Sequence, residues 1–296
     1  MKELGRLITA MVTPFTESGE VDYKQAKKLA LALIDSGSDG LVVVGTTGES
    51  PTLVRAEELK LFTEVKSAVG DSASVIAGTG SNSTAEALEA TRQAEKTGVD
   101  ACLLVVPYYN KPTQEGLYQH FKTIAEGTSL PCILYNVPSR TSTNLNAETV
   151  VRLSQIDNII GVKEASGDMA QVSRIITGVR KGFFIWSGND ADTFPLMALG
   201  GYGVVSVVSH LVGKQIKEMI DKMVDGKVAE AAAIHNRLMP LFKSMFVVSN
   251  PIPLKYALNQ VGFRVGKPRL PLVEPDEQSA RVVMDSLKNY KIDLPL

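Results

Sequence analysis

Two cysteines, three histidines and one tryptophan among 296 residues exclude several classes of protein. Cys102 and Cys132 stand far apart, each inside an apolar run of β character. They read as two buried, reduced thiols rather than a disulfide framework or a metal pair. His120, His210 and His235 form no HxxxH or mixed His/Asp/Glu cluster, so no metal centre is expected. The formal charge is only −1, and no basic stripe exists to meet a phosphate backbone, which argues against nucleic acid. No apolar run approaches the roughly 20 residues that span a bilayer. The first residues, MKELGRLITAMVTPF, are too short an apolar stretch, and too broken by polar residues and Pro14, for a signal peptide or anchor. The chain reads as a cytoplasmic protein.

What is present is a repeated alternation. Short runs rich in Val, Ile and Leu begin at Leu7, Gly40, Ser74, Ala101, Cys132, Ile159, Phe183 and Gly203. They lack polar alternation, as strands covered on both faces do. Helical segments separate them. Asp22 is placed to cap a helix whose apolar stripe is Ala26, Leu29, Ala30, Leu33 and Ile34, and Gly37 stops it. Ser83 and Glu86 make a capping box for another, which Gly98 closes. Eight such βα units predict a (β/α)₈ TIM barrel over residues 1–226, with a doubly wound open sheet as the competing arrangement. Residues 227–296 read as helices only (Val228 to Met245 with a kink at Pro240, Pro253 to Val261, Pro275 to Asn289). They are expected to form a C-terminal helical subdomain.

Barrel enzymes work at the C-terminal ends of their strands, so the reactive groups there matter most. Lys163 sits in the apolar run Ile159-Ile160-Gly161-Val162-Lys163-Glu164. Desolvation favours its neutral amine, the form that attacks a ketone; a lysine snorkelling from a strand end is the plainer alternative. Glu164 cannot be its partner, because neighbouring strand residues face opposite sides. Tyr135 shares phase with Ile133 and can relay protons in the barrel mouth. Arg140, just beyond that strand, can hold a carboxylate through paired hydrogen bonds. Taken singly, each is more often a structural tyrosine or a surface arginine. Gly45-Thr46-Thr47-Gly48-Glu49-Ser50 offers hydroxyls and backbone N–H groups to a small carboxylate, or is simply a turn with Thr52 capping the next helix.

In order and spacing, GTTGES, PYYNKP, YNVPSRT and GVKEASGD resemble the motifs of the dihydrodipicolinate synthase/N-acetylneuraminate lyase superfamily, over nearly the whole chain. The resemblance implies a class I aldolase in which Lys163 forms a Schiff base with pyruvate. It implies that Thr46 and Thr47 hold the pyruvate carboxylate, and that Tyr135, Thr46 and Tyr109 relay protons, Tyr109 reaching in from a neighbouring subunit. Gly188 and Val205 correspond to pocket-lining positions, and Asn250 to the SNP motif near the site. No cofactor is implied, since pyruvate itself carries the imine. The assembly implied is a homotetramer, a dimer of dimers. Arg140 points to the members that condense pyruvate with aspartate semialdehyde on the way to diaminopimelate and lysine. A buried arginine left without its carboxylate would be costly, so uncharged aldehydes should be rejected. A sibling lyase acting on a sugar acid, or a barrel that senses pyruvate without an imine, would share much of this sequence.

Feedback-inhibited relatives bind lysine through a set to which Ser50, Asn82, Glu86 and Tyr108 correspond. Here Pro51, Arg55 and Glu58 replace the Ala, His and His of enterobacterial-type members. Arg55 repels an ammonium group, Glu58 attracts one and Pro51 stiffens the loop. Weak or absent lysine inhibition is the expectation.

Overall fold

All eight apolar runs form strands, and each pairs in parallel with its sequence neighbours, the last closing on the first. The computed structural model describes residues 3–295. In the first half β1 (Leu7–Ala10), β2 (Gly40–Val43), β3 (Ser74–Gly78) and β4 (Ala101–Val105) alternate with α1 (Tyr23–Asp35), α2 (Arg55–Val69), α3 (Thr84–Glu95) and α4 (Gln114–Glu126). Then β5 (Cys132–Asn136) leads into the short α5 (Pro138–Thr141) and α6 (Ala147–Leu153), and β6 (Ile159–Glu164) into α7 (Met169–Gly178). The barrel ends with β7 (Phe184–Ser187), α8 (Thr193–Ala198), β8 (Gly203–Ser206) and α9 (Ser209–Val224). Beyond it lie α10 (Val228–Ser244), α11 (Ile252–Gln260) and α12 (Glu277–Leu287). Among the described residues no helix is long and apolar enough to cross a membrane.

The continuous apolar strands acquire two different environments. One set of side chains, among them Ile8, Val42, Ile76, Leu103, Ile133, Tyr135, Trp186 and Val205, fills the lumen. The alternate set, such as Leu7, Leu41, Val75, Leu104, Leu134 and Val162, packs under the helices. That outer cluster runs on without a break into Leu238, Leu241, Phe242, Leu254 and Leu258 of α10 and α11. The C-terminal helices are thereby fastened to the barrel by the same apolar burial that holds its own helices. The lone tryptophan, Trp186, is a lumen plug whose indole N–H donates to the Gly5 carbonyl at 3.0 Å. Gly161 makes room for it, since a Cβ there would lie 2.6 Å from the Trp186 ring and 2.4 Å from the Phe184 carbonyl oxygen.

Several local expectations need correction. Asp22 caps α1 as expected, its carboxylate accepting from the Gln25 N–H. Of the Ser83–Glu86 box only half forms: Ser83 accepts the Glu86 N–H, while the Glu86 carboxylate turns to the Ser81 hydroxyl instead. Thr52 closes a 3₁₀ turn rather than capping α2, whose first free N–H, at Val54, donates to Glu57. α10 spans Val228–Ser244 with Pro240 inside it, and α9 carries a non-helical residue at Val212. The two cysteines face each other across β4 and β5 as free, buried thiols with their sulfurs 3.4 Å apart.

Candidate active site

β5 and β6 run in register so that Tyr135 lies beside Lys163, and one step on Asn136 lies beside Glu164. Strand alternation then sends the two pairs to opposite sides of the sheet. Tyr135 and Lys163 face the lumen, where the Lys163 ammonium nitrogen sits 4.2 Å from the centre of the Tyr135 ring. Lys163 is 5% exposed. Its aliphatic arm lies against Gly188, where a Cβ would stand 3.2 Å from two of its carbons. Val205 is buried in the lumen on β8.

Behind the sheet Glu164 is buried and accepts from Asn136 Nδ2 (3.1 Å to each oxygen), the Ser166 N–H (2.7 Å) and Gln171 Nε2 (3.2 Å). Burial raises its pKa, and those hydrogen bonds oppose the rise. The expectation that Glu164 does not pair with Lys163 is met. Its actual role, tying β5, β6 and α7 together behind Lys163 and Tyr135, has no sequence signal beyond its phase. A second buried carboxylate also escaped the sequence reading. Asp190 accepts from the Ser206 hydroxyl and from the Val207 and Val208 N–H groups (3.0 and 3.2 Å), fixing the end of β8. Burial raises its pKa against those bonds and against the positive charge of Lys163.

Thr46 and Thr47 occupy a turn bracketed by two residues with left-handed backbone, Val44 (φ 61°) and Glu49 (φ 57°). For the β-branched Val44 this is a strained conformation. The Thr13 hydroxyl donates to the Gly48 carbonyl at 2.6 Å, and Asn250 Nδ2 donates to Thr47 Oγ1 at 2.9 Å. The Asn250 carbonyl in turn accepts from Arg140 Nη2 at 3.1 Å. Asn250 therefore links the two elements expected to hold carboxylates. Arg140 is exposed in the single chain, not buried as anticipated, because α5 carries it to the rim of the mouth.

A cavity of about 360 Å³ is lined by Thr46, Leu103, Tyr135 and Arg140 together with Ser50, Pro51, Arg55, Glu58, Glu86 and Tyr108. Asn82 adjoins the lining residue Tyr108, its amide donating to the Tyr108 carbonyl at 3.1 Å. Arg55 is paired with Glu58 at 2.5 Å, so the two substituted positions offset each other's charge. Burial raises the Glu58 pKa despite this pairing. Tyr109 does not join the cavity. It stands 90% exposed on a left-handed backbone (φ 75°), apart from Tyr135 and Thr46. The single chain thus assembles Lys163, Tyr135, Thr46, Thr47, Arg140, Gly188, Val205 and Asn250 around one mouth and leaves Tyr109 outside it.

The sequence profile of the Dihydrodipicolinate synthetase family matches residues 3–290. The chain belongs to that family. It is 69% identical, over the full length of both chains, to the 4-hydroxy-tetrahydrodipicolinate synthase of Dehalococcoides mccartyi (strain ATCC BAA-2266 / KCTC 15142 / 195). Two family structures superpose closely. The lysine-bound DHDPS of Cyanidioschyzon merolae gives a TM-score of 0.95 at 49% identity, covering 97% of this chain and 98% of that one. The dihydrodipicolinate synthase DapA-2 of Bacillus anthracis gives 0.96 at 45%, covering 98% and 100%. The barrel and the helical region after it are those of the dihydrodipicolinate synthetase family.

Proposed function

We propose that this chain is a 4-hydroxy-tetrahydrodipicolinate synthase, condensing pyruvate with L-aspartate 4-semialdehyde through a Schiff base on Lys163. The observation that carries this reading is the lumen pair of Lys163 and Tyr135, with the ammonium nitrogen 4.2 Å from the ring centre and Arg140 at the same mouth. The neutral Lys163 amine adds to the pyruvate ketone, and loss of water gives an iminium. The positive nitrogen acidifies the methyl group, which gives up a proton to form the enamine. The enamine carbon attacks the aldehyde carbon, and the new alkoxide takes a proton through Tyr135. The amine of the second substrate then adds to the imine carbon, closing the ring and expelling Lys163. Thr46 and Thr47 hold the pyruvate carboxylate, and Arg140 that of aspartate semialdehyde.

Tyr109 completes the relay from a second subunit in this reading. Its exposed ring and left-handed backbone support that role: strain of about 1–3 kcal/mol is retained where surroundings or function demand it. The working form is then at least a dimer, read as a homotetramer in the cytoplasm.

Turnover of pyruvate with aspartate semialdehyde, glyceraldehyde and N-acetylmannosamine at matched concentration tests the reaction. Preference for aspartate semialdehyde is expected, and preference for a sugar aldehyde overturns the substrate. Borohydride should trap pyruvate on the native protein and not on Lys163→Ala. Trapping that survives this substitution would sink the Schiff-base assignment.

A further inference from the structure

A second buried lysine plays no part in this chemistry. Lys255, on α11, is fully buried, with its ammonium bonded to Glu49 Oε1 (2.8 Å) and to the carbonyls of Thr13 (3.0 Å) and Lys267 (3.1 Å). It also lies 4.1 Å over the Phe15 ring. The other Glu49 oxygen accepts the Arg269 N–H at 2.8 Å. Three segments distant in sequence meet here: the loop after β1, the turn carrying Thr46 and Thr47, and the chain after α11. Burial lowers the Lys255 pKa to about 8 even with Glu49 alongside, so desolvation outweighs the attraction. Buried ion pairs of this kind add little net stability, because desolvation offsets their attraction, while removing one partner leaves a costly uncompensated charge.

Glu49 is one of the two left-handed residues bracketing the threonine turn, and such a backbone persists only where its surroundings over-determine it. We propose that Lys255 is a positioning residue: through its buried pair with Glu49 it holds the Thr46–Thr47 turn in the geometry that receives the pyruvate carboxylate. The assignment rests on the role given above to those threonines. The chain after the barrel thus enters the reaction, anchoring at Lys255 on α11 and at Asn250 in the connection before it a turn that belongs to the barrel.

Three variants test it: Lys255→Met, Glu49→Gln, and both together. Each is followed by melting temperature, by hydrogen exchange of the 44–50 segment, and by steady-state kinetics in each substrate. Lys255→Met is expected to raise the pyruvate KM roughly tenfold to a hundredfold, as a misplacement of about 1 Å in a binding group does. The KM for the aldehyde should move far less. Exchange across 44–50 should quicken while borohydride still traps pyruvate on Lys163. The double variant, which leaves no lone buried charge, should recover most of the melting temperature yet keep the raised pyruvate KM. Stability and positioning part company there. Should Lys255→Met fail to fold, Glu49→Gln and the double variant decide. A folded variant with native pyruvate KM and native exchange at 44–50 overturns the proposal. Failure of the underlying reaction shows differently, as absence of trapping in the unaltered protein, and the exchange measurement then still judges the turn.

Discussion

His210 seals the barrel where β8 meets β1, and acid should open that seam in a way that can be calculated. The Val207 carbonyl can only accept, so at 2.8 Å the Nδ1 of His210 carries the proton. Nε2 is left to accept the Val12 N–H at 3.2 Å. The ring is fully buried and must be neutral, and burial lowers its pKa to about 4. A histidine with a lowered pKa in the fold binds more protons when unfolded. Its contribution is therefore present above the unfolded pKa of about 6.5 and is lost as pH falls toward 4. At pH 5.5 the unfolded ring is about nine-tenths protonated and the folded one only a few per cent, a slope of roughly 1.2 kcal/mol per pH unit. Summed from neutrality to pH 4, the loss is on the order of 3 kcal/mol. His210→Gln removes that slope and, above pH 7, costs about 1–3 kcal/mol for the weakened bonds to Val12 and Val207. His120, whose pKa burial also lowers to about 4, and His235, likewise lowered, titrate in both proteins and cancel. Urea unfolding at fixed protein concentration, from pH 8 to pH 4, should show the two stability curves converging as the pH falls, to meet at about pH 5.7 if the substitution costs about 1 kcal/mol and only at about pH 4 if it costs about 3 kcal/mol. Parallel curves would refute the neutral, buried imidazole.

Arg140→Ala should lower kcat/KM for aspartate semialdehyde about ten- to a hundredfold, the worth of a charge-assisted hydrogen-bond pair, with pyruvate affinity nearly unmoved. An equal loss for both substrates would show that Arg140 acts through Asn250 and Thr47 rather than on the aldehyde. L-Lysine should inhibit weakly or not at all, because Pro51, which stiffens its loop, and the paired Arg55 and Glu58 line the same cavity as Ser50, Glu86 and Tyr108. A submillimolar inhibition constant in a steady-state titration would contradict this.

The barrel was legible because burial on both faces leaves strands with no polar alternation, and all eight could be found that way. Their ends were less so. β2 stops at Val43 because Val44 turns left-handed, which no propensity would assign to a β-branched residue. Lys163 stands out as a charged residue in an apolar strand, and Thr46 and Thr47 by their glycine-rich turn, while Tyr135 and Arg140 gain weight only from the motif around them. Asn136, Glu164, Asp190 and the Glu49–Lys255 pair do not stand out. Their meaning lies in partners contributed by other elements, up to 206 positions away for Lys255 and Glu49. Local pattern finds groups that do chemistry sooner than groups that hold them. The exposure of Arg140 was misjudged for a related reason: α5, a single turn after β5, lifts it to the rim.

Alternation along β5 and β6 divides labour between neighbours. Tyr135 and Lys163, the pair proposed to meet substrate, are registered by Asn136 and Glu164 on the opposite face of the sheet. In the proposed reaction the pair is thus framed from outside the barrel, while the residue assigned to the second substrate, Arg140, sits on a separate turn at the rim. On that reading, rewriting the turn would exchange the aldehyde and leave the proposed imine-forming pair untouched.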